Sequence, residues 1–466
     1  MLFSSIPFLF YFLPIVVVLY FIVPRSFKNV VLLVSSLFFY GWGEPRYVIL
    51  MIISILAGYF FGLSIEKNLN SKKAKILVIL SVIFNLLILG YFKYVDFFID
   101  SFNCLSGLSI PFLKVSLPVG ISFYTFQILS YTIDVYRGHT KAQQNIISLA
   151  TYICMFPQLI AGPIVRYADI EHQLTDRTHS FTKAGEGIKR FVIGLTKKVL
   201  LANLLGEVVS KYAVTTDISM LYSWLSAFCY SLQIYFDFSG YSDMAIGLGK
   251  IFGFDFLENF NYPFIAKTVT EFWRRWHMSL GQWFRDYLYI PLGGNRVSKV
   301  RWLVNIFIVW FATGFWHGAS YNFIIWGLFY GFLLIIEKLY TFRYLDNHPF
   351  IGHIYIILIT LFGFVLFNAA DLSSLGIQLS NMLGLSDIPF ISYETIYYLR
   401  SYVVIIVISI AASTPLFKNI ISKLKENKVA KLILDILEPF VYISLFILVI
   451  SYLVDGSFNP FLYFRF

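Results

Sequence analysis

One histidine stands where apolar chains rarely place one. His317 lies in Phe315-Trp316-His317-Gly318-Ala319-Ser320, inside an uncharged stretch from residue 302 to 336. A polar group at that depth serves a pathway or a site, or else makes a single interhelical hydrogen bond. Imidazole has an ordinary pKa of about 6.5, and burial favours its neutral form, which can act as a general base toward a hydroxyl. The adjacent glycines allow another chain or a ligand to approach closely. Upstream, residues 235–296 set Asp237, Asp243, Asp255, Glu258, Glu271, Asp286 and several arginines among aromatic and glycine residues. Ionisable groups near lipid are costly unless they pair or face water, so this concentration predicts a polar chamber or a protein-buried, re-entrant segment. Within it, Trp273-Arg274-Arg275-Trp276-His277 and Arg285-Asp286-Tyr287 bring Arg and Asp partners close together if helical. Those residues read either as the lining of a chamber or as an ion-pair lattice that only locks the helices. Asp237, Ser239, Ser242 and Asp243 offer oxygen ligands, yet a calcium loop needs more carboxylates at regular spacing, and the 7 histidines form no ligand cluster. No metal is expected. Gly293-Gly294 after Pro291 reads as a turn, since the lysine and strand of a phosphate loop are missing.

The elements that hold these residues must be largely lipid-facing. Of 466 residues, 58% are hydrophobic and only 13% charged, with a mean hydropathy of +0.73. A soluble domain of this length needs more polar surface. The 50 Phe and 32 Tyr exceed what interfacial belts use, so many rings pack helix against helix or line a cavity. A net charge of +10 raises the question of nucleic acid, but the basic residues fall in short clusters between apolar runs. That pattern marks cytoplasmic loops, and no nucleic-acid partner is expected. Cys104, Cys154 and Cys229 lie far apart, without metal or disulfide spacing, and read as packing residues.

A bilayer core asks for about 20 apolar residues per helix. Uncharged runs at residues 1–24, 47–65, 76–92, 115–133, 142–165, 218–236, 401–417 and 439–454 qualify. The run 302–336 is too long for one span, and its central glycines predict two helices or a hairpin. With 30–40, 195–205, 241–254 and 349–370, the expectation is about 11 transmembrane helices plus shorter re-entrant ones, in an all-α polytopic membrane protein. Residues 338–348 and 371–394 read as longer loops in one domain spanning 1–466. Arg25 and Lys28 follow the first apolar run instead of preceding it, the reverse of a cleaved signal peptide, which predicts an uncleaved first span with the N-terminus outside. Lysine and arginine clusters at 67–75, 183–198, 274–301 and 418–431 mark the cytoplasmic side. The last span then runs outward and leaves residues 455–466 as an outer C-terminal tail.

Several long segments carry a family resemblance. PVGISFYTFQILSYTIDVYRG (118–138), FPQLIAGPIVRYADI (156–170), LQIYFDFSGYSDMAIGLGKIFGF (232–254), FWRRWHMSLGQWFRDYLYIPLGGNR (272–296), WHGASYNFIIWGLFYG (316–331) and the terminal NPFLYFRF resemble the membrane-bound O-acyltransferases. The match is to the bacterial branch of alginate and peptidoglycan O-acetyltransferase membrane subunits, and it covers nearly the whole chain. The resemblance implies a ring of tilted helices around a central tunnel in the bacterial cytoplasmic (inner) membrane. It makes His317 the catalytic residue of the Trp-His-Gly motif, and His277 the second family histidine. No cofactor is bound; the donor substrate is a cytoplasmic thioester, acetyl-CoA or an acyl carrier protein. The outer partner is an SGNH-type acetyltransferase that completes transfer onto a polysaccharide, and membrane lipids surround the whole.

A mechanism follows as an expectation. Arg274, Arg275, Arg285 and Arg296 hold phosphates or an acidic carrier, and Trp273, Asp286, Gln233, Tyr235 and Asp237 line the donor path or tunnel. Trp316 and Asn322 orient groups or steady an oxyanion near His317. From Asp455 the extended tail reaches up to about 40 Å at roughly 3.3–3.6 Å per residue, while the bilayer midplane is about 15 Å down. Tyr463 can therefore enter the chamber and carry the acyl group outward as a relay; the other reading of the aromatic tail is a plug or anchor. The rival function is a transporter or flippase for a lipid-linked sugar, whose signature, matched halves with interrupted helices, is not visible.

Overall fold

The computed structural model describes residues 1–160, 162–456 and 462, and every regular element among them is helical. The helices that matter below are α1 (Val48–Lys67), α2 (Lys72–Ser106), α3 (Ile121–Arg137), α4 (Phe181–Thr196), α5 (Met220–Ile251), α6 (Val269–Trp273), α7 (Met278–Phe284), α8 (Lys299–His317), α9 (Tyr321–Ile336), α10 (Pro349–Asn368), α11 (Tyr393–Ala412) and α12 (Lys428–Val454). Among the described residues, six helical stretches are long and apolar enough to cross a membrane: α1, α2, the continuous run Tyr321–Asn347, α10, α11 and α12. Fewer qualify than the apolar runs suggested, for local reasons. The run at 142–165 holds only the helix Ile146–Cys154 and a single turn, Phe156–Leu159, opened by Pro157. Helix α5 is long enough, at 32 residues, but its serines, tyrosines and aspartates make it too polar to qualify.

The chain divides into two compact units, Met1–Phe191 with Ser242–Glu258, and Val192–Tyr241 with Asn259–Phe466. In the first, α1, α2 and α3 pack together through small residues. A Cβ on Gly58 or Gly62 of α1 would strike Ile128 or Tyr131 of α3, and Ser81 of α2 hydrogen-bonds Thr132 of α3 at 3.2 Å. Beside them, Phe3, Phe8, Phe12, Phe39 and Phe156 form a cluster of edge-on and tilted rings.

The second unit is built around the hairpin α8–α9. The long apolar run breaks where the glycines predicted, with Gly318 extended at φ −172° and ψ 161°. The two helices touch backbone to backbone: a Cβ on Gly314 would meet the carbonyl oxygen of Phe323, and one on Gly327 that of Trp310. Without a hydrophobic drive in lipid, such small-residue contacts are what holds helices together. His317 thereby becomes the last residue of α8, at the corner of the hairpin. The stretches read as loops are partly helical. Glu337–Thr341 and Phe342–Asn347 prolong α9, and Leu372–Met382 forms because Asp371 and Ser374 cap it reciprocally.

Candidate active site

Two helical stripes face one cavity of about 460 Å³. From α8 come Ile306, Val309, Trp310, Thr313 and His317, spaced three or four apart on a single face. Facing it, α6, α7 and the chain around them contribute Thr270, Trp273, Arg274, His277, Gly281 and Arg285 among others. Leu334 and Lys338, one turn apart, also line it. A second cavity, of about 520 Å³, shares Thr270, Arg274 and Lys338 with the first and adds Glu337 and Arg343. The apolar chamber thus has a basic mouth. Buried Glu337 lies among these cations, and its carboxylate accepts the backbone N–H groups of Val269 and Thr270 at 2.6 and 3.0 Å and caps α6.

Both histidines are buried in this wall, His317 at 6% and His277 at 3% exposure. His317 is enclosed by rings, with Trp316 and Trp326 at 5.0 Å and Phe367 at 5.3 Å between centroids. His277 meets the edge of Phe238 at 4.7 Å and Trp316 at 6.2 Å, so Trp316 lies against both imidazoles. The backbone of His277 is left-handed, φ 44° and ψ 52°, a conformation that costs a non-glycine residue and persists only where neighbours enforce it. Asn259 is the enforcer. Its carbonyl accepts from Met278 N at 2.9 Å, and its side-chain oxygen Oδ1 accepts from Ser279 N at 3.3 Å and Ser279 Oγ at 2.9 Å.

The same Oδ1 lies 3.1 Å from Nδ1 of His277. A backbone N–H can only donate, so the contact with Ser279 N identifies this atom of the amide as its oxygen. Nδ1 of His277 must then carry the hydrogen, which leaves the lone pair of the neutral ring on Nε2. Burial, and after it the neighbouring His317, holds the His277 imidazole well below its ordinary range, so the neutral ring is the resting form. Helices α6 and α7 that flank it are too short to span a bilayer.

Of the residues read from sequence, His317, His277, Trp273 and Arg274 line the common cavity, and Arg285 joins them. Arg275 faces elsewhere, paired with Glu271 at 2.9 Å and donating to the Asn261 carbonyl at 3.1 Å. Asp286 is bound to Arg285 at 2.7 Å. Asn322 spends its amide hydrogens on the carbonyls of Phe367 and Ala369, at 3.4 and 3.0 Å, which turns it from an oxyanion donor into a clamp on the end of α10. Gln233, Tyr235 and Asp237 are buried along α5; Tyr235 packs on Phe260, Phe264 and Trp276. Asp237 pairs with Lys198 at 2.6 Å and accepts the Leu462 N–H at 3.0 Å. Tyr463 lies outside the described residues. Sequence reasoning passed over Lys338, Arg343, Glu337 and Asn259. The Leu334–Lys338 spacing at the end of an apolar helix was a usable signal for the first; nothing in the local sequence marks Asn259, whose partner is 18 positions away.

Comparison with known proteins bears on this site. A family model described as MBOAT, membrane-bound O-acyltransferase family, matches residues 137–375. The chain is 43% identical over 396 residues to a protein of Pseudomonas syringae pv. tomato named probable alginate O-acetylase AlgI, covering 83% of this chain and 76% of that one. It is 35% identical over 425 residues to a peptidoglycan O-acetyltransferase of Helicobacter pylori, covering 83% and 81%. Similarity to a teichoic acid D-alanyltransferase of Bacillus subtilis is 32% over 232 residues, covering 46% and 58%.

Proposed function

Because the chain belongs to the membrane-bound O-acyltransferase family, we propose that it moves an acetyl group from a cytoplasmic thioester across the membrane for O-acetylation of a cell-surface or exported polysaccharide. The observation that carries this reading is the meeting of His317 and His277 in one buried cavity whose mouth holds Arg274, Lys338 and Arg343. An apolar chamber suits the acyl thioester, and the cations suit the phosphates of coenzyme A or an acidic carrier protein.

His317 removes the proton of an acceptor hydroxyl as its oxygen attacks the thioester carbonyl carbon. The C–S bond breaks, and the departing thiolate recovers that proton from the imidazolium. An ester, a free thiol and neutral His317 remain, so atoms and charge balance. The acceptor hydroxyl is the phenol of Tyr463, which carries the acetyl group to an outer partner of the SGNH type. Two contacts support this relay. Leu462, one residue earlier, is tied to Asp237, and the next residue on α5, Phe238, touches the ring of His277. The protein sits in the bacterial cytoplasmic membrane with both termini on the outer side.

The test is chemical. Mild base releases ester-bound acetate from wall and exopolysaccharide fractions of cells carrying wild-type or His317→Ala protein. Loss of that acetate at unchanged protein level is the expected result, and full retention overturns the reading. Tyr463→Phe should abolish acetylation in the same assay; full activity in that variant removes the relay while leaving the enzyme.

A further inference from the structure

Asp237 and Lys198 form a charge pair 2.6 Å apart with side chains only 3% exposed each. Such pairs seldom add net stability, because desolvating two charges offsets their attraction, and they persist where they specify an arrangement. Here the arrangement has a third member. Asp237 Oδ2 accepts the backbone N–H of Leu462 at 3.0 Å, although 225 positions separate them. Leu462 is 6% exposed and belongs to an apolar cluster with Leu201, Ala202, Leu205 and Tyr235. A backbone amide driven into such surroundings must find an acceptor, and a carboxylate is a strong one.

Lys198 is placed for this by an irregularity. Residues Lys197–Ala202 are π-helical, a form that widens a helix by one residue per turn and is frequent at functional sites. Lys198 also donates to Asn203 at 2.9 Å, and α12, the helix that leads into the tail, packs against the same π-helical stretch.

We propose that Asp237, paired with Lys198, is a docking site for this chain's own C-terminal segment: the carboxylate takes the Leu462 amide while the surrounding apolar cluster takes its side chain. Asp237 and Lys198 are positioning residues for the tail. Their importance for acetyl transfer rests on the Tyr463 relay; the docking itself does not.

Hydrogen exchange of the C-terminal peptide, read by mass spectrometry on the purified full chain, tests it. Lys198→Met with Asp237→Asn removes both charges and keeps an acceptor oxygen, so the tail should exchange within about threefold of wild type. Lys198→Met with Asp237→Leu removes the acceptor as well, and exchange should rise at least tenfold with a similar thermal midpoint. Leu462→Pro deletes the donor without touching the core pair, and should release the remaining tail to the same degree even if the variant with Lys198→Met and Asp237→Leu folds poorly. Unchanged exchange in Leu462→Pro, or equal protection in the two double variants, overturns the docking. Ester-bound acetate measured on the same variants separates the two ideas: a released tail with undiminished acetate leaves the docking intact and removes the relay.

Discussion

Asn259 sets which nitrogen of His277 carries the hydrogen, and under the proposed function that gives a buried amide a bearing on rate. Asn259→Ala should lower acetyl transfer by roughly 10–100-fold, by analogy with the loss of groups that orient a catalytic or ligating histidine. The fall should appear in kcat more than in KM. Asn259→Asp places a carboxylate against Nδ1, favours the imidazolium and raises the His277 pKa. The charged groups that share the cavity with His277 are Arg274, Arg285 and Lys338, with His317 as the titratable neighbour from α8; Asp237 on α5 is already paired with Lys198. Since the raised pKa removes the neutral ring at higher pH, the acid limb of the pH–rate profile should move upward in Asn259→Asp. An unmoved limb with reduced activity would show that Asn259 only supports the fold. At this scale the sequence was legible where a residue contradicted its surroundings. His317 stood out because it lies in a run of 35 residues, 302–336, without a charged one, and His277 because of its motif. Asn259 did not, because its contact depends on a left-handed turn that no local pattern announces.

Among the elements, α6 is the short one on which the site depends. It is only five residues long, too short to be stable alone, and Glu337 caps it from the end of α9. Glu337→Ala would leave two N–H groups of α6 without their acceptor, at a cost of about 0.5–2 kcal/mol for a lost cap. Thermal unfolding should register that cost, and transfer should fall further than the stability loss explains, because Trp273 and His277 follow directly. The hairpin α8–α9 makes the complementary point. Its break was readable from Gly314 and Gly318, since residues 302–336 are too many for one crossing. The reason Gly327 matters was not readable, as it lies in the opposite backbone. Gly327→Val should destabilise by roughly 1–3 kcal/mol through overpacking, whereas Gly90→Ala in α2, where a Cβ meets nothing, should not. Apolar runs do not by themselves tell a crossing helix from short pieces such as Ile146–Cys154 and Phe156–Leu159, because both bury apolar surface.

For the molecule as a whole, acid stability is expected to depend on a residue remote in sequence from the chemistry. His179 lies in the segment between the helices ending at Thr175 and beginning at Phe181, where burial first, then Lys28 and Arg177, lower its pKa to about 4. Its Nε2 contacts the Tyr20 hydroxyl at 2.9 Å. A base depressed on folding contributes its stability above the ordinary value of about 6.5 and loses it as pH falls toward 4. The thermal midpoint should therefore drop between pH 7 and 4, and His179→Asn should flatten that dependence; an identical slope in the variant would exonerate the residue. Membrane embedding was legible from composition, with only 13% of residues charged, and helical character from the length of the uncharged runs. Helix α12 carries a last consequence. Its 27 residues measure about 40 Å, the thickness of a bilayer with its headgroups, and only 6% of its most apolar window is buried inside the protein. Its tilt then answers to bilayer thickness as well as to its packing against Lys197–Ala202, and the tilt bears on the angle at which Leu462 arrives at Asp237. Acyl-chain length in the surrounding membrane becomes a control on the transferase: reconstitution into thinner or thicker bilayers should change its turnover with no change at His317.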